Sequence, residues 1–196
     1  WLRDQASITR QYFKEIPYRQ AIRRRLADIV KQLYYSPPEK FQGQYYYFYD
    51  KESATQAKLF HTKTLSEEGK LVFDPATLSR DGSVRMLSHA FSGRGSLMAF
   101  VATDKASDWR NIYVLETASG KLFKDTLRWI GETELAWRRD GFFYSRYPSA
   151  PQENATAGQF QQLYYHRIGD AQSKDELVFA DRTHPFRRVT AMTTQD

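Results

Sequence analysis

The sequence predicts a mainly β fold, in which a short α-helical lead-in precedes an incomplete run of antiparallel β-blades, that is, a partial β-propeller. Aromatic residues make up 15% of the 196 residues, with 13 Tyr and 13 Phe. Both types favour the half-buried surface of a pleated sheet. Short apolar runs separated by turn signals also recur from Gln44 onward, which is typical of hairpin-rich β proteins.

The first 34 residues instead have a helical pattern, because apolar residues recur at spacings of three and four on one face. The residues with this spacing are Ile22, Leu26, Ile29 and Leu33. Pro17 divides the segment into two helices, and Pro37-Pro38 ends helical structure. We therefore expect a helical segment over residues 1–36 and propeller blades over residues 37–196.

A repeated motif supports the blades. In each copy a small residue precedes a large one, and the anchoring residues are Ala90, Ala136 and Ala191. Their separations are roughly the 40–50 residues expected for four-stranded propeller blades. The third copy stops at its turn, so we expect a propeller that is incomplete at the C-terminus and a chain that is part of a larger protein.

The net charge of +6 has two explanations, a surface for nucleic acid or anionic lipid, or basic residues scattered over a solvated surface. Only Arg23-Arg24-Arg25 and Arg187-Arg188 are clustered, and neither alternates with aromatic residues as single-strand binding platforms do. No stretch approaches the roughly 20 apolar residues of a membrane span. We expect neither nucleic acid nor membrane as a partner.

The compartment stays open between cytoplasm and periplasm, for a protein expected to be soluble. The chain begins at Trp1 rather than Met, so the natural N-terminus is expected to be missing, together with any signal peptide.

The sequence contains no complete catalytic or metal site. Cysteine is absent, and the histidines lack ligand-like spacing, so we expect no metal and no cofactor. No Gly-x-Ser-x-Gly nucleophile elbow occurs, since Gly93-Arg94-Gly95-Ser96 lacks the flanking pattern. We predict no catalytic residue in this chain and strand or loop roles for the four histidines, which are His61, His89, His166 and His184.

Several motifs follow one another in the order of a known family. They are Trp1-Leu2-Arg3-Asp4-Gln5, Gly43 to Tyr49, Phe73-Asp74-Pro75, Ala90-Phe91-Ser92, Ser107-Asp108-Trp109, Leu135-Ala136-Trp137, Tyr144 to Pro148 and Leu163 to His166. In this order they resemble the prolyl oligopeptidase family of serine peptidases. That family joins a seven-bladed propeller to an α/β-hydrolase domain, and the propeller lies over the active site.

The resemblance implies the first blades of a seven-bladed propeller in a serine endopeptidase that cleaves short peptides after proline. The propeller would restrict substrate access. The Ser, Asp and His of the triad would come from the missing hydrolase domain, on which the helical segment would pack. The chain alone would then be inactive, and its partners would be that domain and short peptide substrates.

Three residues are candidates for the substrate cavity. Asp108 and Trp109 either belong to a loop at the propeller face or serve as a turn former and a blade-core residue. Glu132 lies where the family commonly has an aromatic residue that can reach the substrate. Two alternatives remain, an oligopeptidase B-like enzyme that cleaves after basic residues and a non-enzymatic propeller that binds other proteins. The blades lack the Gly-His and Trp-Asp signature of WD-repeat propellers.

Overall fold

A computed structural model of the chain describes residues 1–30, 34–50, 56–103, 109–148 and 158–194. Two helices come first, α1 over Leu2–Glu15 and α2 over Arg19–Val30. Pro17 lies between them, which confirms the predicted division. The apolar face of α2 is open, because Ile22, Leu26 and Ile29 are 50%, 54% and 45% exposed. Leu33 lies outside the described residues.

Within the described residues, the strands form three antiparallel sheets. The first sheet contains β1 (Tyr34–Tyr35), β2 (Glu39–Phe41), β3 (Gln44–Asp50), β4 (Lys58–Thr62) and β5 (Lys70–Phe73). The second contains β6 (Arg85–Phe91), β7 (Leu97–Thr103), β8 (Arg110–Glu116) and β9 (Leu122–Ile130). The third contains β10 (Ala136–Arg138), β11 (Gly141–Arg146), β12 (Gln162–Arg167) and β13 (Glu176–Ala180).

Each sheet is a meander in which strands that follow one another along the chain also pair. The first sheet departs from this order at its inner edge, where β1 and β2 both pair with β3. Pro37 and Pro38 lie between β1 and β2 and have no backbone N–H to donate, so they interrupt the inner strand. The first sheet already includes Tyr34 and Tyr35, which precede these prolines.

The second sheet lies between the other two, and β7 is its most buried strand. Residues Met98 to Ala102 are each at most 1% exposed. Successive strand residues face opposite sides of a sheet, so this run contributes to two cores. A continuous apolar run is typical of a strand that is covered on both faces.

One apolar core fills the space between the first and second sheets. Its buried residues are Tyr46, Phe48, Leu59, Phe73, Met98, Phe100, Ala102 and Leu115. A second core fills the space between the second and third sheets. Its buried residues are Ala99, Val101, Ile112, Val114, Leu127, Ile130, Phe142, Tyr144 and Tyr164.

Two copies of the predicted repeat lie on the inner strands. Ala90 is in β6 and Ala136 is in β10, and the indole Nε1 of Trp137 donates a hydrogen bond of 2.8 Å to the carbonyl of Ala90. Trp137, the large residue of the second copy, therefore ties the inner strand of the third sheet to that of the second. The third copy differs, because Ala191 lies in an extended segment that forms no strand in the described part of the chain.

A buried polar network joins the second and third sheets. Its centre is His166 of β12, which is fully buried. The Nδ1 atom of His166 is 2.7 Å from Oδ1 of Asp175, and its Nε2 atom is 3.3 Å from Oδ2 of Asp125 in β9. Asp175 also accepts a hydrogen bond of 2.5 Å from the Tyr144 hydroxyl, and Asp125 accepts one of 2.6 Å from the Gly169 amide.

The carboxylates of this network favour the protonated form of His166. Burial by itself would lower the pKa of His166, but the hydrogen bonds and negative charges of Asp175 and Asp125 outweigh it, so the pKa is raised above the ordinary 6.5. The same burial, together with the Asp175 hydrogen bond, raises the pKa of Tyr144. The two carboxylates, which come from different blades, thus favour the protonated form of the imidazole between them.

We predict that the free energy of unfolding falls as the pH rises above about 6.5. The folded state holds its proton on His166 to a higher pH than the unfolded state, so the stabilisation is complete below the unfolded pKa and is lost as the pH rises through the folded pKa. Urea unfolding between about pH 6 and pH 9 measures this slope. The His166→Gln variant should lose the slope and His89→Gln should keep it. An equal slope in wild type and His166→Gln would contradict the assignment.

Candidate functional site

One end of the second sheet carries the connection from β7 to β8 and the end of β9. Thr103 pairs with Arg110 across β7 and β8, and Arg110 pairs with Ile130 across β8 and β9. Trp109 immediately precedes β8 and therefore lies at this end.

The third sheet brings matching segments to the same end. Arg146 pairs with Gln162 at the last position of β11, and Tyr147 follows. The connection from β9 to β10 lies alongside, because the Ser145 amide donates a hydrogen bond of 2.8 Å to the Thr133 hydroxyl. We call the ends of both sheets that carry Trp109, Tyr147 and Glu132 the Trp109 end.

Three aromatic residues meet at the Trp109 end. The Trp109 ring makes edge-to-face contacts with Trp129 and Tyr147, at centroid distances of 6.2 and 5.8 Å. Trp109 and Tyr147 are half-buried, and Trp129 is 43% exposed. We call these residues the Trp109 cluster. It joins the ends of both sheets and remains partly exposed.

The backbone at Trp129 is strained. Its φ is 61°, in the left-handed region that bulky residues rarely adopt. The pairing of β8 with β9 also shifts register between Arg110 and Ile112. Arg128 lies opposite this shift in β9, the edge strand of the sheet, and the Gln172 side chain bonds both the amide and the carbonyl of Arg128 at 3.0 Å. Bulges and backbone strain cluster at functional sites, where they re-aim side chains.

Glu132 is an exposed residue in the connection that follows β9. Its Oε2 atom forms an ion pair of 2.5 Å with Arg188. Its carbonyl accepts a hydrogen bond of 2.6 Å from the Gln161 side chain, which is 3% exposed. Gly131 packs against the Tyr147 ring so closely that an added Cβ would lie 2.4 Å from its Cε2 atom. Tyr147 thus connects the Glu132 segment with Trp109.

The structure brings two of the three predicted cavity residues to one end. Trp109 and Glu132 are both at the Trp109 end, and Asp108 lies outside the described residues. Sequence reasoning missed the contributions of Trp129 and Gln161. It identified Arg187-Arg188 as a cluster, and each of these arginines pairs with an acid, Arg187 with Asp181 at 2.5 Å and Arg188 with Glu132.

The histidines occupy strands and a loop, as predicted. His61 is in β4 and His89 is in β6, where its Nε2 atom lies 3.1 Å from Glu39. His184 lies in the loop after β13, 2.9 Å from Asp181. Both ring nitrogens of His166 already have carboxylate partners, so neither is available to activate a nucleophile.

A metal centre and a membrane-spanning helix are both absent from the residues that the structure describes. No group of three or more His, Asp and Glu side chains is placed to hold a metal ion. No helix in the described ranges is long and apolar enough to cross a membrane.

The three meandering sheets and the two leading helices agree with a known family. The model of the prolyl oligopeptidase N-terminal β-propeller domain matches residues 1–196. The chain belongs to this family. Its three sheets are blades of the prolyl oligopeptidase propeller, which confirms the predicted mainly β fold, and the parent family is one of serine peptidases.

Individual relatives agree with this assignment. The chain is 29% identical to a prolyl endopeptidase of Elizabethkingia miricola over 100% of the chain and 28% of the relative. It is 32% identical to prolyl oligopeptidase A of Amanita bisporigera over 100% of the chain and 30% of the relative. The chain therefore spans under a third of the length of these relatives.

Solved structures show the same likeness. Prolyl oligopeptidase B of Galerina marginata, bound to a 35mer hydrolysis and macrocyclization substrate, superposes with a TM-score of 0.88 at 25% identity. The similarity covers 100% of this chain and 30% of that one. A further prolyl endopeptidase structure has a TM-score of 0.73 at 27% identity.

We predict that Trp109 and Tyr147 are energetically coupled across the two blades. Edge-to-face aromatic pairs are worth about 0.5–1.5 kcal/mol beyond their buried area. A double-mutant cycle with Trp109→Ala and Tyr147→Ala, measured by urea unfolding, should give a coupling energy in that range. Trp109→Ala combined with Tyr12→Ala, on the exposed face of α1, should be additive. Additivity of the first pair would show that the ring contact does not join the blades.

Proposed function

We propose that this chain is the N-terminal propeller part of a serine-type prolyl oligopeptidase that cleaves short peptides after proline. The match of the whole chain to the prolyl oligopeptidase propeller family is the observation that carries the proposal. The Ser, Asp and His of the triad belong to a hydrolase domain outside this chain. The propeller restricts access to that domain, and the chain has no peptidase activity by itself.

The open surfaces of the outer blades support an incomplete propeller. On the first sheet, the exposed Tyr35 ring stacks on Tyr49 with centroids 4.0 Å apart, and Leu71 is 54% exposed. On the third sheet, Val178 and Phe179 of β13 are 45% and 47% exposed. Apolar patches of this kind mark surfaces that another element covers. Further blades of the same propeller would cover both.

Within this enzyme, the Trp109 end faces the substrate cavity, and Asp108, Trp109 and Glu132 line it. The half-buried indole of Trp109 offers a rigid apolar surface for a peptide, and Glu132 adds a charged group beside it. The strained backbone of Trp129 supports this assignment, since such strain persists where surrounding contacts hold a side chain in a required position.

The helical segment over residues 1–36 packs on the hydrolase domain. Its support is the exposed stripe of Ile22, Leu26 and Ile29 on α2. A helix with one apolar stripe gains its stability from burying that stripe against another element.

Activity measurements test the proposed function. The full-length protein should hydrolyse a short peptide with a chromogenic group after proline, and the isolated 196-residue chain should not. A fluorophosphonate that reacts with activated serines should label the full-length protein and leave the isolated chain unlabelled. Turnover by the isolated chain that a single substitution abolishes would contradict the proposal. Cleavage after lysine or arginine but not after proline would favour the oligopeptidase B-like alternative.

A substitution on α2 tests the docking of the helical segment. We predict that Leu26→Asp destabilises the full-length protein by more than about 2 kcal/mol, because it places a charge in a buried contact. In the isolated chain the same substitution should change the free energy of unfolding by less than about 0.5 kcal/mol. Gln20→Asp, with the same charge change on the opposite side of α2, is the control. Equal effects of Leu26→Asp in both proteins would refute the docking.

A further inference from the structure

The ion pair between Glu132 and Arg188 is unusual for an exposed pair, because a buried side chain holds the backbone beside each partner. The two side chains are 57% and 72% exposed, and the Oε2 to Nη1 distance is 2.5 Å. Exposed pairs of this kind contribute little to stability, since water screens them and flexible side chains lose freedom on pairing. We therefore consider the effect of Arg188 on the charge of Glu132 rather than on stability.

Gln161 holds the two segments in register. Its buried side-chain amide donates to the Glu132 carbonyl at 2.6 Å and accepts from the Val189 amide at 2.9 Å. The Ser145 hydroxyl also bonds to the Val189 carbonyl. The backbones of Glu132 and Val189 are thus held by the same side chain. Because Arg188 is next to Val189, its backbone is fixed close to Glu132.

The loop before Arg188 is ordered by a different acid. Asp181, whose side chain is 9% exposed, accepts hydrogen bonds from the amide and hydroxyl of Thr183, both at 2.8 Å, and pairs with Arg187 at 2.5 Å. Adjacent arginines consequently have different partners. Arg187 completes the loop, and Arg188 is directed to Glu132.

We propose that Arg188 is a specificity-determining residue, which cancels the negative charge of Glu132 at the Trp109 end and so prevents the enzyme from selecting peptides by charge. The inference rests on the proposed function, because it requires peptides to pass this end. An unpaired Glu132 would attract a lysine side chain of the peptide and repel a glutamate. With Arg188 in place, the same position presents a neutral pair beside the Trp109 cluster.

Two peptides that differ only in a Lys or Glu residue on the N-terminal side of the proline test this in the full-length protein. Arg188→Gln should raise the ratio of kcat/KM for the Lys peptide to that for the Glu peptide by about tenfold, as expected for one uncompensated charge near a protein surface. Arg188→Lys should keep the wild-type ratio, and the double variant Glu132→Gln/Arg188→Gln should restore it. Arg182→Gln, which removes the same charge from an exposed residue of the same loop, should leave the ratio unchanged.

Two outcomes would overturn the inference. One is an unchanged ratio in Arg188→Gln, and the other is an equal shift in Arg182→Gln, which would reflect net charge alone. If Arg188→Gln does not fold, Glu132→Gln provides an independent test, since the unpaired Arg188 should shift the ratio about tenfold toward the Glu peptide. A full-length protein without prolyl peptidase activity would refute the proposed function and this inference together. An active enzyme whose ratio of kcat/KM values does not change in Arg188→Gln would refute the inference alone.

Discussion

Burial of the second blade on both faces is the constraint on which the rest of the structure depends. A propeller blade is a twisted sheet with an apolar surface on each side, so it is stable only between neighbours. In this chain β7 satisfies that requirement, with Met98, Phe100 and Ala102 facing the first blade and Ala99 and Val101 facing the third. The connections at the ends of the second blade then lie against those of the neighbouring blades. This explains why the polar networks and the Trp109 cluster all cross from one blade to the next.

The two adjacent arginines near the C-terminal end of the described chain are paired individually with acids. Arg187 and Arg188 follow each other in sequence, yet each has its own carboxylate, and the Asp175 and Asp125 carboxylates share His166. Both arginine side chains are exposed, but each positive charge is offset by a neighbouring carboxylate, which weakens the attraction of this segment for phosphate groups. The net charge of +6 therefore gives little information about a binding partner.

The sequence predicts elements better than it predicts contacts between them. The aromatic run Tyr45 to Tyr49 identifies β3, because alternate residues can face two sides of a sheet, and Pro17 separates α1 from α2. The pattern of Ala136 and Trp137 likewise identifies an inner strand. The same pattern at Ala191 forms no strand, since a strand also needs a neighbour with which to pair its backbone, and no strand in the described part of the chain pairs with that segment.

Contacts at the candidate site depend on residues far apart along the chain. The ion pair of Glu132 with Arg188 and the contact of Trp109 with Tyr147 exist only after the second and third blades have packed. The sequence shows both residues of each pair, but it does not show that they contact each other. The motif order of the family supplied Trp109 and Glu132 as candidates, and only the packed blades show that Tyr147 connects them.

The bulge in β9 has a consequence for how the two blades become ordered. A glutamine side chain ends in the same pair of groups as a peptide unit, one carbonyl and one N–H donor, so Gln172 can replace a strand neighbour for Arg128. Gln172 comes from the connection between β12 and β13, however, which belongs to the third blade. Arg128 is exposed, so water can occupy both positions until the third blade has docked. Docking then exchanges two hydrogen bonds to water for two hydrogen bonds to Gln172, which couples the end of β9 to the presence of the third blade.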